Sequence, residues 1–157
     1  VPSRASCPPA GKTTRMRMTD ETHLSTHFDS LGLPAPAKAW LLDLSTVIQV
    51  LDDAMDGDDA GQANVTRAAM AIFWDMPLNP FYRDNFSALQ PVLKLQVLKW
   101  LAANDVEMGS KADERSYMWR AGFYDVVLMV CALCDCDQSA SALSLYGETF
   151  TAYMEGF

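Results

Sequence analysis

The sequence predicts an all-α fold, a single-domain bundle of five to six helices with a central antiparallel hairpin. Three observations carry that expectation. Segments 92–108 and 117–134 are apolar on nearly every face, the stretches around them repeat apolar residues at helical spacing, and no pair of alternating strand patterns occurs. With 157 residues, half of them apolar, one core can bury roughly 70 % of the unfolded surface, so residues 19–157 need no metal or disulfide staple.

Residues 1–18 are basic and Pro-rich, lack an apolar run that could serve as a leader or anchor, and are expected to be a disordered tail. The Val1 start, with Met16 and Met18 just ahead of the first patterned residue, suits a processed fragment or an over-extended reading frame. A first helix is capped by Thr19 or Asp20, runs through Phe28 and Leu31, and is stopped by Gly32-Leu33-Pro34-Ala35-Pro36. From Ala37, Trp40, Leu44, Val47, Ile48, Leu51 and Met55 form one stripe, with Ser45, Gln49, Asp52 and Asp56 opposite. Asp56 to Gly61 breaks the chain. Val65, Ala68, Ala69, Ile72, Phe73 and Met76 then trace a helix whose alanines allow a close neighbour, and Pro77-Leu78-Asn79-Pro80 is expected to end it.

A short turn of Phe81, Tyr82 and Phe86 follows, and Ser87 is the expected cap of the next helix, with Pro91 in or near its first turn. Gly109-Ser110-Lys111 is short enough to fold the two greasiest helices back on each other, which sets Trp100 opposite Arg120 and Asn104 near Ser116. The segments centred on Leu98 and Leu128 are therefore expected to be mutually shielded from water. A last helix carries Tyr146, Phe150, Tyr153 and Phe157 in one stripe.

Charge narrows the range of partners. The formal net charge is −8, and all four charges of the first seventeen residues are basic, so residues 18–157 hold 8 basic against 20 acidic side chains. Scattered Lys and Arg disfavour nucleic acid, whereas a basic protein partner or simple solubility suits the balance. The longest apolar run, 126–134, is far short of the roughly 20 residues needed to span a membrane. Cys7, Cys131, Cys134 and Cys136 lack the dispersed spacing of a disulfide framework, which points to a reducing cytoplasm.

Asp52-Asp53-Ala54-Met55-Asp56 resembles the first aspartate-rich motif, DDxxD, of trans-prenyltransferases and terpene synthases. The resemblance spans five residues and implies magnesium held by Asp52, Asp53 and Asp56, gripping a diphosphate. Physical chemistry adds a motive: three anions at a helix carboxyl end are each disfavoured by roughly 0.3–1 kcal/mol, which a cation would offset, while a solvent-facing acidic end is the plainer reading.

His23 and His27 share a helix face, as a metal-binding pair would, or are simply exposed. Cys131 and Cys134 form a CxxC whose second pair is missing, so both read as small core residues. Trp100, Asn104, Tyr117, Arg120 and Tyr124 fall on facing sides of the hairpin and are the candidates for a ligand pocket between helices, or for a structural polar seam. Arg120 is expected to stack on Trp100, and Lys94 to neutralise Asp125.

No nucleophile elbow, phosphate-binding loop or catalytic triad can be set out. The leading expectation is a small acidic helical protein acting through protein-protein contact, as an adaptor, inhibitor or assembly component, with a protein partner or as a homo-oligomer. Its size and acidity suit a phage or mobile-element accessory. The motive is a surplus of large apolar groups, Trp74, Phe81, Tyr82, Trp119 and the aromatic face of the last helix. No cofactor is expected on that reading; the alternative is a magnesium-dependent enzyme acting on a diphosphate or nucleotide, with Glu107 or Asp113 as helpers.

Overall fold

The structure is a computed structural model that describes residues 19–109, 112–136 and 150–155. All regular elements among the described residues are helical: α1 (Thr19–Ser30), α2 (Ala35–Asp56), α3 (Gln62–Met70), a π-helical turn (Ala71–Asp75), α4 (Met76–Leu78), α5 (Pro80–Asp84), α6 (Phe86–Met108), α7 (Glu114–Arg120), α8 (Gly122–Leu133) and α9 (Phe150–Met154). None of the described helices is long and apolar enough to cross a membrane. The disordered tail expected for residues 1–18 and the stripe residues Tyr146 and Phe157 lie outside the described residues.

The main core forms where α1, the first half of α2, α5, α6 and α8 converge. Phe28, Trp40, Leu41, Leu89, Val126, Val127, Val130 and Cys131 are all fully buried there. Tyr82 stacks on Trp40 with centroids 5.3 Å apart, and Phe81 leans on the same indole. Phe81 and Tyr82, surplus by sequence pattern, are thus core residues. Asn79 fixes this corner by capping α5 through Tyr82 N–H and donating its Nδ2 to the Pro36 carbonyl, 2.9 Å away.

The second half of α2 lies against α3 and the π-helical turn, with Val47, Ala68 and Ala71 as a small separate core. Gly57 makes the reversal possible, because its φ of +77° is open to glycine and its N–H closes α2 on the Asp53 carbonyl. The helical run ends at Asn79, within the 77–80 stretch expected to stop it, with Pro77 itself inside the last turn. A proline ring clashes with the carbonyl four residues back, and the widened turn over Ala71–Asp75 relieves that clash, so helical backbone continues to Leu78.

On the other side, the chain after α6 turns back onto it, with Gln96 beside Gly122, Lys99 on Asp125 and Glu107 on Arg120. Three expectations are corrected here. Segment 117–134 is not one helix: it breaks at Ala121, where Gly122 passes so close to α6 that an added Cβ would meet Gln96 Cγ at 3.1 Å. Asp125 takes Lys99, since Lys94 points away from α8 into solvent. Helix α6 begins at Phe86 after Asn85, so Ser87 is not its cap and Pro91 sits in the second turn.

A fourth correction matters most for function. The segment around Leu98 is helical and packs on α7 and α8, yet Leu98 itself is 53 % exposed and Leu95, Val97 and Leu101 are exposed beside it. Helix α6 is apolar on nearly every face, but the described residues pack on one side of it only. Periodicity reports that a face is apolar; it cannot report whether this chain supplies the cover.

Candidate functional site

Helices α2, α6, α7 and α9 bring a polar cluster together around Arg120. Its guanidinium forks onto Glu107: Nε donates to Oε1 at 2.9 Å and Nη2 donates to Oε2. Nη1 donates to Asp52 Oδ1, which also accepts the Trp100 indole N–H at 3.0 Å. Tyr153 Oη lies 2.5 Å from Glu107 Oε1 and 2.7 Å from Ser116 Oγ. An ionised carboxylate carries no proton, so the phenol donates to Glu107.

Each member is placed by its own element. On α6, Trp100, Asn104 and Glu107 recur at three- and four-residue spacing and share the face toward α7. Asp113 starts α7 with a capping box, its side chain accepting Arg115 and Ser116 N–H while Ser116 Oγ accepts Asp113 N–H, which fixes Ser116 under Tyr153. Tyr153 is held from α9 by ring contacts with Tyr117 at 5.4 Å and by Phe150, itself 5.5 Å from Tyr117. The aromatic stripe of the last helix therefore faces inward where it is described, and is no docking surface there.

Electrostatically the cluster is a clasp. The Glu107 side chain is only 8 % exposed and that of Arg120 21 %, against 42 % for Asp52. Burial works to lower the Arg120 pKa and is the largest single effect, but the hydrogen bonds and charges of Glu107 and Asp52 outweigh it and hold the guanidinium charged. Burial, then the bond to Glu107, raises Tyr153 well above the ordinary phenol range, so it stays a donor. No close backbone packing joins α2 to α6 or α7; Asp52 makes that link through Arg120 and Trp100.

Trp100 and Arg120 do meet, as the hairpin predicts, but through a shared carboxylate and not as a stacked pair. Tyr117 belongs to the aromatic contact that seats α9. Tyr124 packs edge-on to Phe123 at 6.0 Å and against the main core. Asn104 is buried, and its Nδ2 has no hydrogen-bond partner among the described residues. Sequence reasoning missed the bond from Arg120 to Asp52 and those from Tyr153 to Glu107 and Ser116, because they join residues far apart in the chain.

Asp52 is occupied by Arg120 and Trp100, and among the described residues no three His, Cys, Asp or Glu side chains gather to hold a metal. Asp53 is raised in pKa by burial, then by Asp52 and Asp58. Asp56 is exposed at the last position of α2. His27 is half-buried edge-on to Phe28, its pKa lowered by burial and then by His23, while His23 points outward. Cys131, Cys134 and Cys136 are free thiols, and burial first, then Cys136, pushes Cys131 up to about 12, far from a reactive thiolate.

The other unusual feature is apolar. Ile72, Phe73 and Trp74 are consecutive and all exposed, Phe73 by 81 % and Trp74 by 61 %, with Leu78 and Met70 exposed nearby. The π-helical turn produces this run by widening the helix at those residues. Comparison with protein-family models, with curated proteins and with solved structures returns no match.

Proposed function

We propose that this protein acts by contact with another protein, as an adaptor, inhibitor or assembly component, docking through Ile72, Phe73, Trp74 and Leu78. One observation carries the reading: two large aromatic side chains at successive positions are both exposed to water on a widened helical turn. Monomeric surfaces tolerate single apolar residues, but contiguous aromatic ones mark interaction sites, and aromatic anchors dominate binding energy. Asp75 adjoins the pair, and the chain as a whole carries a formal net charge of −8. A partner with an apolar pocket rimmed by Lys and Arg matches both features. The free thiols suit a reducing cytoplasm.

A photoreactive side chain at position 73 is expected to trap one discrete protein partner. The Phe73→Ser/Trp74→Ser variant is expected to lose that partner in pull-down while its melting temperature stays within a few degrees, since neither side chain supports the core. Equal trapping from a control site at Arg115, on α7, would refute this reading.

A further inference from the structure

A second surface, independent of Phe73 and Trp74, runs along the outside of α6. Pro91, Lys94, Leu98, Leu101, Asp105 and Met108 are all exposed and follow one another at alternating steps of three and four residues. That is the seam of a two-stranded helical coil, with Leu95 and Val97 exposed on its flanks. The opposite stripe of the same helix, Leu89, Gln96, Ala103, Asn104 and Glu107, is turned inward. Neither Lys94 nor Asp105 forms an ion pair with a described residue.

The seam is complementary to itself in one orientation. A two-fold axis between Lys99 and Trp100 sets an antiparallel copy so that Leu98 faces Leu101, Lys94 faces Asp105 and Pro91 faces Met108, each pair twice. Antiparallel coils pair successive seam positions in this way, and opposite charges flanking an apolar centre fix the register. In a parallel arrangement Lys94 meets Lys94 and Asp105 meets Asp105, which is repulsive.

We propose that α6 is the interface of an antiparallel homodimer, with Leu98 and Leu101 at its centre and Lys94–Asp105 pairs at both ends. The seam and its flanks offer on the order of 500 Å² per copy, below the roughly 800 Å² per partner of a standard interface, so the dimer is a weak and reversible one.

Sedimentation equilibrium of the full chain over a wide concentration range tests this. Wild type is expected to pass from monomer to dimer, and Leu98→Glu to remain monomeric with an unchanged helical spectrum. Lys94→Asp or Asp105→Lys alone turns both end pairs repulsive and is expected to weaken the dimer by about tenfold. Combining the two restores opposite charges and is expected to recover it, as is mixing the two single variants. Phe73→Ser/Trp74→Ser should dimerise like wild type. Three results would each overturn the proposal: a wild-type monomer at all concentrations, dimerisation that Leu98→Glu leaves intact, or a double swap that fails to rescue, the last pointing to another occupant or register.

Discussion

Replacing Arg120 by Met is expected to destabilise the fold by about 3 kcal/mol, seen as a fall of roughly 10 °C in melting temperature. The cost comes mainly from the carboxylate left behind. Without the guanidinium, Glu107 remains buried with the Tyr153 hydroxyl as its remaining partner among the described residues, and an uncompensated buried charge is far more costly than a missing pair. Asp52 contributes less, because its half-exposed carboxylate is screened by water and keeps the Trp100 indole.

This attribution can be separated from simple loss of packing. If the stranded charge is the cause, adding Glu107→Gln to Arg120→Met recovers part of the loss, although Glu107→Gln alone costs about 1–2 kcal/mol by weakening a charged hydrogen-bonded fork. Additive losses in the double variant would mean that the Arg120 stem, not the charge balance, is what matters.

The second large effect is expected at Trp40, where Ala should cost about 3–5 kcal/mol in denaturant unfolding. Trp40 is fully buried where α2 meets α5, stacked on Tyr82 and touching Phe81. Removing it opens a cavity between elements that belong to different parts of the chain, and rigid neighbours can only partly collapse into it. Trp40→Phe is expected to lose much less. The buried Trp40 Nε1 has no hydrogen-bond partner among the described residues, so the smaller ring gives up packing but also relieves a desolvated N–H. Equal losses for Ala and Phe would show that the indole nitrogen is bonded after all.

These two sites show where sequence was informative. The helical class and the reversals near Gly32 and Gly57 follow from local chemistry, since glycine and proline act within a turn of where they stand. The nearness of Trp100 and Arg120 was also legible, because a short connection folds two helices about a nearby point. Tertiary events were not. The break at Ala121 depends on how closely Gln96 approaches Gly122, and the meeting of Asp52 with Arg120 joins residues 68 apart.

The aspartate-rich motif shows the same limit. Spacing places Asp52 and Asp56 on one helix face, but a cation arriving from another element, Arg120, supplies the compensation that the helix dipole argument assigned to a metal. The 77–80 run does end the helix, at Asn79, but Pro77 itself lies inside it. A widened turn absorbed it, and that turn carries the aromatic pair on which the proposed function rests.

That function stands on apolar side chains that the described residues leave uncovered, and hydroxyl-radical footprinting of the dilute protein reads their exposure directly. Phe73 and Trp74 are expected to oxidise fast, and Trp40 and Phe28 to be protected until the chain unfolds. Phe73 and Trp74 protected as strongly as Trp40 would contradict the account, because the chain itself would then cover the surface assigned to a partner.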